Sequence, residues 1–367
     1  MKWKLLIAIF STFAVAIWSL PANAAAGAVY TLTNSSSGNA VMMFNRSADG
    51  HIALGGTFST GGMGTGAGLG TQGAVILDAS NRFLFAVNAA SNTISVFSVT
   101  YNGLTLVGTT SSHGQNPVSV ASFGNMLYVL NEGGAVGGTD TLAGFTVDAN
   151  GNLHNFSSGV GLSAPSVGPA EVSFNTEGNL LVVTEKATNN IDVFILDSMG
   201  NVTGMKVMMS AAETPYGFAF GRHDVLIVSD AVGGAANAGA VSSYFLAEDE
   251  SHHTVTGSAA DHQSAPCWIA VTNDGLYAYT TNTGSGTVSS YSVGYAGALM
   301  LMNQSAADVG SGSAPVDMAI SNDSRSLYVL GPGTGVVKGY GINENGSLTL
   351  QSTVSGLPAS ASGLAAR

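Results

Sequence analysis

A single cysteine, Cys267, occurs in the 367 residues, so no internal disulfide can brace the fold and stability must come from burial. Charged residues are scarce at 9 %, and only five of them are arginines. No basic cluster forms along the chain, which argues against recognition of nucleic acid or anionic membrane surfaces. After the first two dozen residues, no apolar run is long enough to cross a bilayer as a helix. The glycine-rich stretch GGMGTGAGLG at 61–70 lacks the Gly-Lys-Ser/Thr of a phosphate loop, and no helical periodicity follows it. It reads as a connection between repeats.

The opening residues, MKWKLLIAIFSTFAVAIWSLPANA, have the three parts of a secretory signal. Lys2 and Lys4 form the basic end, Leu5 to Leu20 the apolar core, and Ala22-Asn23-Ala24 the small-residue cleavage site. Residues 1–24 are expected to be removed on export to the periplasm or the medium, with no membrane insertion afterwards. The remainder, 25–367, carries eight basic against twenty-two acidic residues, a formal charge of −14. It is expected to form one domain and to be monomeric.

What is abundant is glycine, at 49 residues, together with Val, Ser, Thr and Ala. That mixture favours many short strands and tight turns. A repeat organises them. APCWIAVTNDGLYAYTTNTGSGTVSSYSV, from Ala265, is echoed by APVDMAISNDSRSLYVLGPGTGVVKGYGI (314–342) and GPAEVSFNTEGNLLVVTEKATNNIDVFIL (168–196). Prolines recur at 117, 169, 215, 266 and 315. Each unit reads as four strands with period-two alternation, and four-stranded units of about 40–50 residues arranged radially make a β-propeller. The second strand occurs seven times: Val29–Asn34, Phe85–Asn88, Tyr128–Asn131, Val182–Glu185, Ile227–Asp230, Tyr279–Asn282 and Tyr328–Gly331. The first unit lacks an inner strand, and the tail SASGLAAR (360–367) has the composition to supply it. The fold class expected is therefore all-β: a seven-bladed propeller closed by its C-terminus, with no free sheet edge at the junction.

LYVLN, NTISVF, GPAEVSF, APCWIAVTNDGLYAYTTN and ASGLAA make the chain resemble the seven-bladed lactonase family, which includes 6-phosphogluconolactonases and carboxymuconate-lactonising enzymes, and also the looser YVTN surface propellers. The resemblance implies lactone hydrolysis and assigns Glu185, ending LLVVTE, to the family glutamate. The family's Arg-His after Gly-Pro is absent, since Gly168-Pro169 is followed by Ala170-Glu171. A family histidine is replaced within QNPVSV (115–120), and a family arginine by Thr283.

In a propeller, residues just after each proline and residues ending each second strand are expected on one rim of the channel. That places Asn34, Asn88, Asn131, Glu185, Asp230 and Asn282 with Ser119, Glu171, Tyr216, Cys267, Trp268 and Asp317. Glu185 and Glu171 are the candidate catalytic base and acid, because a close pair of carboxyls can divide into one ionised and one protonated group. Asp317, Trp268, Tyr216, Asn131, Asn282 and Lys186 are the candidate ligand-binding residues. No cofactor is expected; a divalent cation held by Glu171, Glu185 and Asp317 is the remaining alternative. Phosphate recognition needs Arg or Lys forks, and Lys186 alone is placed to help. The ligand expected is thus a small uncharged lactone or ester. A non-catalytic propeller binding a ligand or partner is the other reading. Cys267 has no histidine partner in view and reads as a buried small residue. The seven histidines map to turns or loops, and EDESHHTVTGSAADH (248–262) to a surface loop.

Overall fold

The computed structural model describes residues 26–101, 103–133, 138–247 and 252–367; the expected signal, residues 1–24, lies outside them. Seven four-stranded antiparallel sheets follow one another. Blade 1 takes residues 27–59, and blades 2 to 7 take 75–111, 117–161, 169–209, 215–260, 266–308 and 318–355. The inner strands touch in cyclic order, blade 7 reaching blade 2 through the C-terminal strand. That strand, Ser362–Ala366, pairs with Gly27–Leu32 as the innermost strand of blade 1. Arg367 extends the seam: its N–H donates to the Ala28 carbonyl, and its own carbonyl accepts the Arg46 Nε–H at 3.0 Å.

Burial follows each strand's place in the blade. Second strands such as Phe83–Asn88, Leu180–Glu185 and Val225–Asp230 are buried at every residue, because neighbouring blades cover both faces. Fourth strands such as Val202–Met209 alternate between half-buried and exposed. Three equivalent tyrosines of the second strand tie blades together. Tyr128, Tyr279 and Tyr328 donate to the carbonyls of Gly200, Gly346 and Gly50 in the next blade's outer hairpin. Those glycines have φ of 86°, 77° and 86°, which the turn requires.

Two placements differ from expectation. His154 and His253 lie in outer strands, Leu153–Gly161 and His253–Ala260, because blades 3 and 5 use those residues for their exposed edges. The 248–262 stretch is therefore mostly an edge strand; residues 248–251 fall outside the described residues.

Candidate functional site: the central channel

Each inner strand runs from the face where the prolines stand to the face where hairpins join it to the second strand. A bulge after Pro117, Pro169, Pro215 and Pro266 disturbs the pairing. It leaves one backbone N–H per blade without a ladder partner, aimed around the channel. A collar of acceptors answers them. Val172 N–H donates to Ser119 Oγ (3.2 Å), Phe218 N–H to Glu171 Oε2 (2.6 Å), and Leu364 N–H to Asp317 Oδ2 (3.1 Å). Gly217 has no side chain to continue the series. Gln72 fills that slot, accepting from Ile269 N–H (3.1 Å) and donating to its carbonyl (2.9 Å).

Gln72 belongs to the connection between blades 1 and 2, which includes the glycine-rich stretch. The connection does not skirt the surface; it crosses the channel. Leu69 N–H donates to Ser362 Oγ of blade 1, Thr71 Oγ1 to the Val118 carbonyl of blade 3, and Gln72 N–H to the Ala170 carbonyl of blade 4. Blades 4 and 5 reach it through Lys186 Nζ and Tyr216 OH, which both donate to the Gly70 carbonyl (3.0 and 2.6 Å). Trp268 Nε1–H of blade 6 donates to the Thr71 carbonyl (3.1 Å), and Gly73 N–H to Asp317 Oδ2 of blade 7 (3.3 Å). Lys186 lies 5.0 Å over the Tyr216 ring, and Tyr216 packs on Trp268 with centroids 5.1 Å apart. Four of the candidate ligand-binding residues, Lys186, Tyr216, Trp268 and Asp317, thus hold a backbone segment of the protein itself. Burial lowers the Lys186 pKa, opposed by the nearby Glu132 carboxylate.

Below this plug is a cavity of about 240 Å³ whose walls include Gln72, Val75, Glu171, Ser173, Asp317 and Met318. None of its lining residues is Lys or Arg. Glu171 and Asp317 are 6 % and 2 % exposed. Burial raises the Glu171 pKa well above the usual carboxyl range, and the Asp317 charge pushes the same way. Burial pushes Asp317 up to about 7 although three backbone N–H groups, of Gly73, Met318 and Leu364, favour its anion.

Glu185 is elsewhere. In the ladder Glu171 lies opposite Thr184, whose hydroxyl reaches the Tyr216 carbonyl of blade 5. Glu185, one residue on, faces the other side of blade 4. It accepts from Ser163 N–H (3.1 Å), Ser163 Oγ (2.5 Å) and Thr188 Oγ1. Asp192 joins it there, its pKa raised by burial and by the neighbouring Glu185 carboxyl, and it also accepts from Ser163 N–H (2.9 Å). The expected Glu171–Glu185 pair is therefore not assembled; alternation along the strand sends the two side chains to opposite faces.

The other second-strand ends share the position of Glu185, not the rim. Asn282 donates to Ser289 Oγ (2.8 Å) and Thr287 Oγ1 (3.0 Å), Asn131 to the Ser112 carbonyl (3.3 Å), and Asp230 accepts from Ser242 and Ser210. All are wholly buried in seams between blades. Among the described residues no three His, Cys, Asp or Glu side chains are grouped to hold a metal ion; Glu185 is separated from Glu171 and Asp317 by the blade itself. Cys267 is 6 % exposed, and burial pushes its thiol up to about 11. Sequence reasoning missed Gln72 and Gly73 as site residues. The signal was Gly217, a collar position with no side chain, whose neighbour Ile269 N–H takes its acceptor from elsewhere.

No curated protein matches the chain by sequence. Among solved structures, a Bacteroides fragilis protein provisionally assigned as a 6-phosphogluconolactonase is 18 % identical, with a TM-score of 0.69 over 95 % of this chain and 99 % of that one. The periplasmic gluconolactonase of Pseudomonas aeruginosa is 14 % identical, with a TM-score of 0.70 over 92 % and 98 %. At such identities the likeness is one of fold. The sequence profile described as Lactonase, 7-bladed beta-propeller matches residues 23–166 and 230–364. Glu171, Glu185, Lys186 and Tyr216 fall between the two matched segments. Matched over well more than half of its length, the chain belongs to the seven-bladed β-propeller lactonase family.

Proposed function

We propose that this protein is an exported, monomeric, cofactor-free hydrolase of small uncharged lactones, with Asp317 as general base and Glu171 as general acid. One observation carries the reading: two buried carboxyl groups, from blades 4 and 7, line one channel cavity that contains no basic side chain. Their surroundings divide the roles. Asp317 has three N–H donors and ionises near neutrality, whereas Glu171 has one and keeps its proton.

In the reaction, Asp317 takes a proton from water as the water oxygen bonds to the lactone carbonyl carbon. The Glu171 hydroxyl donates to the developing oxyanion and then protonates the ring oxygen as the acyl C–O bond breaks. The proton held by Asp317 passes back to Glu171, and a hydroxy acid leaves. The cavity is smaller than the roughly 300–1,000 Å³ usual for ligand pockets, and its walls combine aliphatic side chains with Gln72, Ser122, Ser173 and the two carboxyls. Without Lys or Arg in its walls, it suits a small uncharged lactone better than a phosphorylated one. Export is supported by the signal-like residues 1–24, and a family relative of the same fold is periplasmic by name.

The test is a panel of neutral lactones, followed by proton release, with and without chelator. Turnover insensitive to chelator is expected, and Glu171→Gln and Asp317→Asn should each abolish it while the protein still melts cooperatively. No turnover on any lactone, or full activity in both variants, overturns the assignment. The mass of the protein recovered from its native host should correspond to a chain starting at Ala25; an intact Met1 would refute export by cleavage.

A further inference from the structure

We propose that the channel site has one mouth, at the hairpin face, and that residues 69–73 are a fixed roof sealing it from the proline face. The inference rests on the reading that Glu171 and Asp317 form the site, and it reverses the side from which the rim residues would admit a ligand.

Two independent observations carry it. The first is the roof itself. Between Leu69 and Gly73 every residue is hydrogen-bonded to the channel wall, and the partners come from blades 1, 3, 4, 5, 6 and 7. Such a segment cannot be pushed aside without breaking bonds to most of the ring. It is also sterically seated. A Cβ at Gly217 would come within 2.1 Å of Gln72 Oε1, and one at Gly73 within 2.9 Å of Ser119 Oγ.

The second observation is the burial gradient along the inner strands. At the proline face Val118, Ser119, Ala170, Glu171, Gly217, Cys267, Trp268 and Asp317 are buried, and only Tyr216 and Val316 are half-buried. At the hairpin end the last residues of the inner strands of blades 2, 5, 6 and 7 are half-buried: Ile76 and Leu77, Ala219 and Phe220, Ala270 and Val271, Ala319 and Ile320. Ser122 and Ser173, on the cavity wall in blades 3 and 4, are half-buried as well. Solvent therefore enters the channel from below and stops at the roof. A lactone entering that way passes Ile76, Leu77, Ser122 and Ser173 and reaches Glu171 and Asp317 at the closed end. Lys186, Tyr216 and Trp268 act from the sealed side as roof-holding residues and do not touch the ligand.

The experiment places one bulky label on each face of the full-length mature protein. Cys267 is buried with its thiol pKa raised, so it stays unmodified by maleimides. Ser173→Cys puts a thiol in the lower mouth. Gly68→Cys puts one on the proline face above the roof, where the residue is exposed and a Cβ meets nothing within 4 Å. Each variant is coupled to fluorescein maleimide, then treated at mildly acidic pH with a small uncharged diazoacetamide, which esterifies protonated carboxyl groups. Peptide mass spectrometry reads modification of Glu171 and Asp317. The expected result is modification in the unlabelled proteins and in labelled Gly68→Cys, and its loss in labelled Ser173→Cys. Ser122→Cys, on the same mouth, repeats the lower-face measurement if Ser173→Cys does not fold. Loss of modification with the label at Gly68, loss with neither label, or no modification without labels overturns the proposal. The readout is accessibility, so absence of lactone turnover would refute the hydrolase reading and leave this result standing on its own.

Discussion

At Glu185 the carboxyl is committed to its neighbours: Ser163 and Thr188 donate to it, and it raises the pKa of Asp192 beside it. Replacing it by Gln supplies an N–H₂ that can donate to Asp192 and removes the neighbouring carboxyl that disfavours the Asp192 anion. Glu185→Gln is therefore expected to leave lactone turnover unchanged and to raise the melting temperature above about pH 8, where Asp192 ionises. Abolished turnover with an unchanged melt would return Glu185 to the chemistry. Asp317 gives the complementary expectation. Its carboxylate is the active base, so the rate should rise with pH through about 7, the value to which burial moves it; a rate that falls across that interval contradicts the role. The residue types at these positions were legible in the sequence, because the repeat aligns Ser119, Glu171, Gly217, Trp268 and Asp317. Their facing was not. A bulge after Pro117, Pro169, Pro215 and Pro266 shifts the side-chain phase of the inner strand, and a single-residue shift moves a carboxyl from a seam to the channel.

The residue before each inner-strand proline adopts a left-handed backbone: Asn116, Gly168, Thr214, Ala265 and Ala314 have φ of 51°, 59°, 57°, 53° and 45°. That bend returns the chain over the proline face, where carbonyls of Asn116, Gly168, Thr214 and Ala265 accept from Glu132, Lys186, Ala231 and Thr283 N–H. Only Gly168 adopts it without a Cβ penalty, which for an L-residue is about 1–2 kcal/mol. Ala314→Gly is expected to stabilise the protein by about 0.5–1 kcal/mol, less than the full relief because glycine gains freedom when unfolded. Gly168→Ala should lose about 1 kcal/mol, since a Cβ there meets only ordinary contacts and the cost is conformational. Denaturant midpoints of the two variants check both; a destabilised Ala314→Gly would show that the bend carries no strain. The strands themselves were legible to within a few residues, and all seven second strands end within two residues of the expected position. Period-two alternation and turn residues are local signals. The course of the 61–70 connection was not legible, because glycine permits many paths and its partners lie in six blades distant along the chain.

For the whole ring, closure and titration set stability together. The tail was legible as an inner strand from its small apolar residues, and its pairing with Gly27–Leu32 makes the fold depend on both ends of the chain. Buried carboxyls impose a second dependence. Asp230 and Asp317 are both pushed up to about 7 by burial, and burial also raises Asp140, Glu171 and Asp261. Between about pH 4 and 7 the unfolded chain has released these protons while the folded protein keeps them. The folded state then binds more protons, so stability falls as pH rises across that window, by up to about 1.4 kcal/mol per pH unit for each such group. Asp49, Asp148 and Asp197 have lowered pKa values from turn hydrogen bonds, which acts in the opposite direction. They are solvent-exposed and screened, so the buried groups dominate. Rising negative charge on a chain with twenty-two acidic residues and only ten basic ones adds repulsion in the same sense. The melting temperature is therefore expected to be higher at pH 5 than at pH 8. Asp230→Asn, which keeps the shape and removes one of the titrating carboxyls from its seam, should shrink that difference. A melting temperature that is flat or rises from pH 5 to pH 8 would mean that these carboxyls are ionised in the folded ring, and with them Asp317 at the closed end of the channel.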